Sequence, residues 1–377
     1  MRGTGPTSRR ETPGSAKAAP CPVLALTVGS VTRPTRRTTS ALLALSAVLA
    51  AGCAPVAHVA VRHVAAPAPL STPSPARPHV LRPVHRAPTD PLTGLAMRHS
   101  PIVVVKVDNA TTARAYQRGL DHAAIVYQEL VESGQTRFAA VYDNAYAGEV
   151  GPIRSVRETD LELLPELGRV AVAFSGGNSG IKGQFRSAVR AGKLLDASYD
   201  VLPHHYRLGE QRVDARNFYA TPGVLAAISN GASPHRMGLV FGPLPKGAGK
   251  PANTAEMRFS EIATVGVRYH PESGRYAVSQ DGEAMPGVAA ANVIVQSVPI
   301  RRGRYVDVLG APSPVSDSIG HGRALILRDG RAIHATWRRT SARTGTRYVD
   351  DKGRDIPLHA GSTWVLLLPD SRSATIG

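Results

Sequence analysis

Apolar and polar residues follow different rhythms in successive stretches of the chain. From Ile102 to Val107 the run Ile-Val-Val-Val-Lys-Val is almost wholly β-branched and is closed by Asp108-Asn109, which predicts a buried strand and then a turn. Ala123 to Glu132 fits helix or strand by periodicity alone, but the polar Ser133-Gly134 and the segment Thr136 to Tyr142 that follows favour two strands. Glu158 to Leu167 is acidic at its start and carries Leu161, Leu163, Leu164 and Leu167, the pattern of a helix whose negative groups sit near its positive N-terminus. Val170 to Phe174 predicts a strand ending in Ser175-Gly-Gly-Asn-Ser-Gly180, and Lys182 to Leu195 predicts a helix.

The Pro- and Gly-rich stretch Gly242 to Pro251 interrupts this alternation. Beyond it helical periodicity nearly vanishes. Val265 to Tyr269, Arg275 to Gln280, Asn292 to Gln296, Tyr305 to Leu309, Ala324 to Leu327, Ala332 to Arg338 and Thr363 to Leu368 all predict strands. Asp329-Gly330 is a strong two-residue hairpin signal, and Asp281-Gly282 is a second. The expected fold class is α+β, with a mixed α/β module over 91–241, a linker over 242–255 and a mainly antiparallel β module over 256–370.

The N-terminal stretch is of another kind. Residues 33–40 are basic and polar, and they run into an apolar segment over 41–51 that is too short for a stable span, which needs about 20 apolar residues. Leu49-Ala50-Ala51-Gly52-Cys53 resembles a bacterial lipobox, with Ala50 where Leu is usual, so Cys53 is the expected site of lipidation. The competing readings are an ordinary secretory signal and a buried thiol; no further Cys occurs in the 324 residues after Cys53, which disfavours both. Residues upstream of Thr32 lack leader character, which points to a translation start near Val28 or Val31, and Arg36-Arg37 leaves the export route open between Sec and Tat. From Ala54 to Asp90, eight Pro in 37 residues predict a disordered, semi-rigid tether, on which His58, His63, His79 and His85 have no fold to converge them on a metal.

The charge changes meaning once divided. The whole chain carries +17, but residues 1–53 account for +6 and 54–90 for +3, leaving 34 basic and 26 acidic groups in the body, a net +8. That balance reads as a solvated basic surface, with Arg301, Arg302 and Arg304 as its densest cluster, and together with the export signal it disfavours nucleic acid. Two Cys, at 21 and 53, exclude a disulfide framework and a Cys-based zinc cluster.

Several segments together resemble one family. Pro91-Leu-Thr-Gly94, Val107-Asp-Asn109, Tyr127 to Glu132, Thr136-Arg137-Phe138, Gly151 to Arg157 and Ser175-Gly-Gly177 are similar in order and spacing to the N-terminal half of the YerB-like lipoproteins of bacteria. Tyr276 to Gly282, Asn292 to Gln296, Gly320-His-Gly322, Thr336-Trp337 and Gly361 to Val365 extend the likeness to Pro369. The resemblance implies an exported lipoprotein on the outer face of the cell membrane, built on a two-part domain of unknown function, with no agreed catalytic residues. One departure stands out: the family's Pro-His-Asn before an aromatic residue and Tyr is here Ala215-Arg216-Asn217-Phe218-Tyr219, so no role for that His carries over.

Candidate chemistry centres on the N-terminal half. Gly151 to Arg157 precedes the acidic helix, so backbone N–H groups, Ser155 and the side chains of Arg154 and Arg157 are placed to face an anion, such as a phosphate or carboxylate of a cell-envelope polymer. The alternative is that these arginines pair internally with Glu129, Glu132 or Glu158. Asp108, with Asn109 beside it, Glu129 and Glu132 are the carboxylates available for acid/base hydrolysis of a glycan or peptide, although ion pairing within the fold is the stronger reading. His204-His205 and Asp214 make a poor metal set because adjacent histidines point apart, and no cofactor motif is present: Ser175 to Gly180 lacks both G-x-S-x-G and the phosphate-loop pattern and reads as a plain turn. Trp337-Arg338-Arg339 reads as an exposed strand. The function expected is binding of an envelope ligand or protein partner by a membrane-tethered lipoprotein, with an envelope hydrolase as the alternative.

Overall fold

A computed structural model describes residues 89–97, 101–143, 146–210, 216–230, 237–307 and 310–377, with Met1 and Gly3. The expected leader, Cys53, the Pro-rich tether up to residue 88, and Asp214 lie outside the described residues.

The first half supplies β1 (Ile102–Asp108), β2 (Ile125–Leu130), β3 (Thr136–Asp143), β4 (Val150–Ile153), α1 (Glu158–Leu163), β5 (Ala171–Ala173), α2 (Ser179–Arg190), β6 (Leu195–Asp196), β7 (Tyr206–Leu208), β8 (Phe218–Ala220) and α3 (Pro222–Ile228). The second half is all strand: β9 (Lys250–Pro251), β10 (Thr254–Ser260), β11 (Ala263–His270), β12 (Arg275–Gln280), β13 (Glu283–Ala290), β14 (Asn292–Val298), β15 (Ile300–Val306), β16 (Pro312–Ser316), β17 (Gly320–Arg328), β18 (Arg331–Arg339), β19 (Arg347–Val349), β20 (Thr363–Pro369) and β21 (Ala374–Ile376). The fold is α+β, as the sequence pattern predicts. The ambiguous stretch after Ala123 is a strand because β2 is hydrogen-bonded on both sides, antiparallel to β3 and parallel to β20, and its residues are buried on both faces.

Among the described residues, strands of both halves form one large mixed sheet, ordered β19-β18-β17-β14-β20-β2-β3-β1-β4-β8-β7, with β5 beside β1. β20 joins the halves: Thr363 pairs with Ile125 on one side and Asn292 on the other, parallel to both neighbours. One face of the sheet, carrying Val104, Tyr127, Val141, Ile294 and Val365, packs under Leu163 of α1 and Ile181 and Phe185 of α2. The opposite face, with Val105, Val126, Phe138, Trp364 and Leu366, packs on Met257, Phe259, Val265, Tyr276 and Val278 of a five-stranded sheet ordered β13-β12-β11-β10-β21. Both expected hairpins form, and their turn residues have left-handed backbones (φ 50° and 84° at Asp281-Gly282, 52° and 67° at Asp329-Gly330), the geometry that matches strand twist.

Three expectations need correction. The helix expected over Lys182 to Leu195 starts at Ser179 behind an Asn178 cap and stops at Arg190, where Gly192 takes a positive φ. The strand expected over Tyr305 to Leu309 is the end of β15, which runs over Ile300–Val306 and pairs with β16. Trp337-Arg338-Arg339 is not an exposed strand, because β18 lies between β17 and β19. Trp337 donates to the Ser297 carbonyl, and the Arg339 guanidinium, 1% exposed, donates to the carbonyls of Glu162 and Leu163 at the end of α1 and to those of Ala342 and Thr344.

Candidate functional site

The polar end of β1 organises the site. Strand alternation puts Lys106 and Asp108 on the helix-covered face, and the register with β3 and then β2 brings Arg137 opposite Asp108 and Glu129 opposite Arg137. Lys106 Nζ lies 2.5 Å from Glu129 Oε1 and 2.7 Å from Asp160 Oδ1, and all three groups are buried. The other oxygen of Asp160 accepts the backbone N–H of Arg157 at 2.7 Å, fixing the start of α1. The Arg157 side chain donates from Nε and Nη2 to Glu132 Oε2 at 3.0 and 2.8 Å, while the Ser313 hydroxyl donates to Glu132 Oε1.

Arg154 stands where β1 and β5 separate. Its backbone N–H donates to the Lys106 carbonyl at 2.8 Å, and its carbonyl accepts from Ser175 N–H at 3.1 Å, so the chain after β4 is wedged between the ends of two parallel strands. Such a division at carboxyl ends of strands opens a crevice in α/β sheets. Here it is a cleft of about 760 Å³ lined on one side by Arg137, Arg154, Ser155 and Arg157 and on another by Ser175 to Ser179, the turn that enters α2. Gly176 and Gly177 turn with φ of 95° and 146°, and Asn178 Oδ1 accepts the Gly180 N–H at 2.8 Å.

The arginines of the cleft are paired in charge but incompletely hydrogen-bonded. Asp108 sits 3.3 Å from Arg137 Nη1 and 3.2 Å from Arg154 Nε, close enough for ion pairing but without hydrogen-bond geometry, so Arg137 Nε and Nη1 and Arg154 Nε are buried donors without acceptors. Burial lowers the Arg137 pKa to about 10, Asp108 opposes the shift, and Arg157 and Arg154 add to it; the group stays cationic at neutral pH. Burial raises Glu129 to about 7, with Asp160 adding to the rise and Lys106 opposing it. Burial alone would raise Glu132, but Arg157 and the Ser313 hydroxyl hold it below the usual carboxylate range.

Residues 92–235 match the N-terminal domain, and residues 255–365 the C-terminal domain, described as "Protein of unknown function (DUF3048)". The chain belongs to the DUF3048 family. It is 26% identical over 307 residues, 76% of this chain and 88% of the relative, to "Putative lipoprotein YerB" of Bacillus subtilis strain 168. The crystal structure of YerB protein from Bacillus subtilis superposes with a TM-score of 0.62 at 23% identity, covering 76% of this chain and 99% of that one, so the DUF3048 fold is shared.

In this DUF3048 chain the sequence candidates divide between two faces and two depths. Arg154, Ser155, Arg157 and Glu132 line the cleft, and Asp108 lies against its arginines. Glu129 does not line it, being 1% exposed beside Lys106. Asn109 is on the opposite face of the sheet, where its amide donates to Thr136 Oγ1 and Gln280 Oε1. At the start of α1 the chain's own Asp160 takes the Arg157 N–H, while Glu158 accepts the backbone N–H of Arg304 in β15. The helix start that borders the cleft is that of α2, and the turn read as plain forms its wall. Sequence reasoning also missed Lys106, Arg137, Asp160 and Ser313. Only Lys106 carried a local signal, as the one charge inside a β-branched run. His204 and His205 are exposed in a short turn, and among the described residues no three His, Cys, Asp or Glu groups converge as metal ligands.

Proposed function

We propose that this protein is an exported lipoprotein, anchored through Cys53 on the extracytoplasmic face of the cell membrane, whose arginine-lined cleft binds an anionic group of a cell-envelope ligand. The observation that carries the binding reading is Arg137: a guanidinium 5% exposed, at the wall of a cleft, whose Nε and Nη1 find no hydrogen-bond acceptor among the described residues, Asp108 meeting Nη1 only as an ion pair at 3.3 Å. Arg154, about a third exposed, stands beside it. The anchoring reading is supported by the lipobox-like segment at Cys53 and by the naming of the Bacillus relative as a lipoprotein. Carboxylate hydrolysis is less well supported, because Glu129 lies outside the cleft lining and Glu132 is engaged by Arg157 and Ser313.

Two measurements test these parts separately. Fractionation of cells carrying wild type and Cys53→Ala, with mass spectrometry of the mature N-terminus, should find an acylated Cys53 in the membrane and release of the variant; an unmodified cytosolic protein would end the anchoring reading. Retention of the full chain on isolated cell walls should weaken about tenfold in Arg154→Ala, the effect of losing one charged hydrogen bond. Unchanged retention by a folded Arg154→Ala protein would end the binding reading.

A further inference from the structure

Resting on the anion-binding reading above, we infer that the group held in the cleft is a phosphate ester, carried by an envelope polymer or a lipid headgroup, and not a carboxylate. Asp108, a buried carboxylate, lies against the cleft within 3.3 Å of both Arg137 and Arg154, and Glu132 and Asp307 line it, yet three N–H groups of the two arginines make no hydrogen bond among the described residues. The lining comes from separate elements: Arg137 from β3, Arg154 and Ser155 from the chain after β4, and the Gly176-Gly177-Asn178 turn from the start of α2. Oxygens set tetrahedrally around phosphorus meet donors on several walls, whereas the two oxygens of a carboxylate lie in one plane.

The two helices near the site differ in a way that supports this assignment. The first turn of α1 holds Glu158 and Asp160, which answer its positive end internally. The first turn of α2, a helix of 12 residues, holds no acidic residue, and its positive end opens on the cleft behind two glycines. Side chains at these glycines would be strained by the positive φ and tightly placed: a Cβ on Gly177 would come within 3.2 Å of Val156 Cγ1 and 3.3 Å of Lys182 Cγ, and one on Gly176 within 3.3 Å of Ser155 Oγ. The backbone is thus bare where a phosphate approaches. Asp307 stands at the rim, where its Oδ1 accepts the Ala311 N–H. The cleft volume of about 760 Å³ leaves space for the alcohol carried by the ester.

The test is a calorimetric titration of the full chain with glycerol 3-phosphate, poly(glycerol phosphate) and phosphatidylglycerol vesicles, beside glycerate and polyglucuronate as carboxylate counterparts. Two variants accompany it. Arg154→Gln removes a partly exposed donor, and Ser179→Asp places an acid at the exposed first residue of α2, a position where an acid favours the helix itself but repels an anion. The expected result is binding of phosphate probes about tenfold tighter than their carboxylate counterparts, weakened about tenfold in each variant. Polymer and vesicle titrations then distinguish the two sources. Equal or tighter binding of the carboxylates would overturn the phosphate assignment and leave the anion-binding reading standing. No binding of either class would overturn both, and phosphate binding unchanged in both variants would overturn the location.

Discussion

Lys106 Nζ lies 2.5 Å from Glu129 Oε1 on the helix-covered face of the large sheet, and neither side chain is more than 1% exposed. The pair joins β1 to β2, and through Asp160 it joins both strands to α1, directly behind the arginine cleft. Removing the single cation would leave two carboxylates buried without their counter-charge. Lys106→Met should therefore destabilise the fold by about 3–5 kcal/mol, the usual cost of breaking a buried pair on one side. Urea unfolding measures this, and a loss below about 1 kcal/mol, the range of exposed pairs, would show that the cluster contributes little.

The same cluster gives a pH dependence with a defined sign. Glu129 has a pKa of about 7 in the folded chain against an ordinary 4.5, so the folded protein retains a proton that the unfolded chain releases between those values. Stability from this group is fully present below about pH 4.5, falls as pH rises towards 7 and is level above it. Glu129→Gln imitates the protonated carboxyl and cannot titrate. Its advantage relative to wild type should grow across that window, and urea midpoints at pH 5, 6, 7 and 8 would read it. Parallel curves for the two proteins would mean that Glu129 is not the titrating group.

The Lys106 cluster also marks what the sequence makes legible. Strand β1 is evident from its β-branched run, and the hairpins at Asp281-Gly282 and Asp329-Gly330 from turn residues alone, because both are local effects. Lys106 is conspicuous as a charge within that run, but its partners lie 23 and 54 residues away, and only the sheet register and the packing of α1 bring them together. Arg339 misleads for the same reason. Apolar-polar alternation around Trp337 suggests an exposed strand, yet the carbonyls that satisfy the guanidinium belong to a helix end 176 and 177 residues earlier in the chain. The cleft is half legible: Arg154, Ser155 and Arg157 share one segment, whereas Arg137 and the α2 turn reach it through topology.

On the other face, Gln280 of the five-stranded sheet holds the two layers in register. Its Oε1 accepts from Gln128 Nε2 at 3.0 Å and from Asn109 Nδ2 at 3.2 Å, and its Nε2 donates to Gln128 Oε1, which also accepts the Trp364 indole N–H. Gln280→Leu would withdraw a buried acceptor and donor from this network while keeping the apolar bulk. The expected cost is about 1–3 kcal/mol, that of stranding buried polar groups. In a cycle with Gln128→Leu the second change should cost much less than the first. Strict additivity would show that the two amides do not act together.

Arg154 and Arg157, three residues apart, should separate binding from stability. Arg157 donates twice to Glu132 and both are largely buried, so Arg157→Ala leaves that carboxylate without its counter-charge and should cost about 3–5 kcal/mol. Glu132 is held below its ordinary 4.5 in the folded chain, so its contribution is present above pH 4.5 and is lost as pH falls through the depressed folded value. Arg157→Ala should weaken that acid-side dependence, leaving only the Ser313 hydroxyl to hold the carboxyl down, which denaturation curves followed from neutral pH to the acid side of 4.5 would record. Arg154 is 31% exposed and meets Asp108 without hydrogen-bond geometry, so Arg154→Ala should change stability by no more than about 1 kcal/mol. Its effect should fall instead on retention by cell walls. If Arg154→Ala unfolds the protein as readily as Arg157→Ala does, the exposed guanidinium is a structural brace and the cleft loses its clearest binding group.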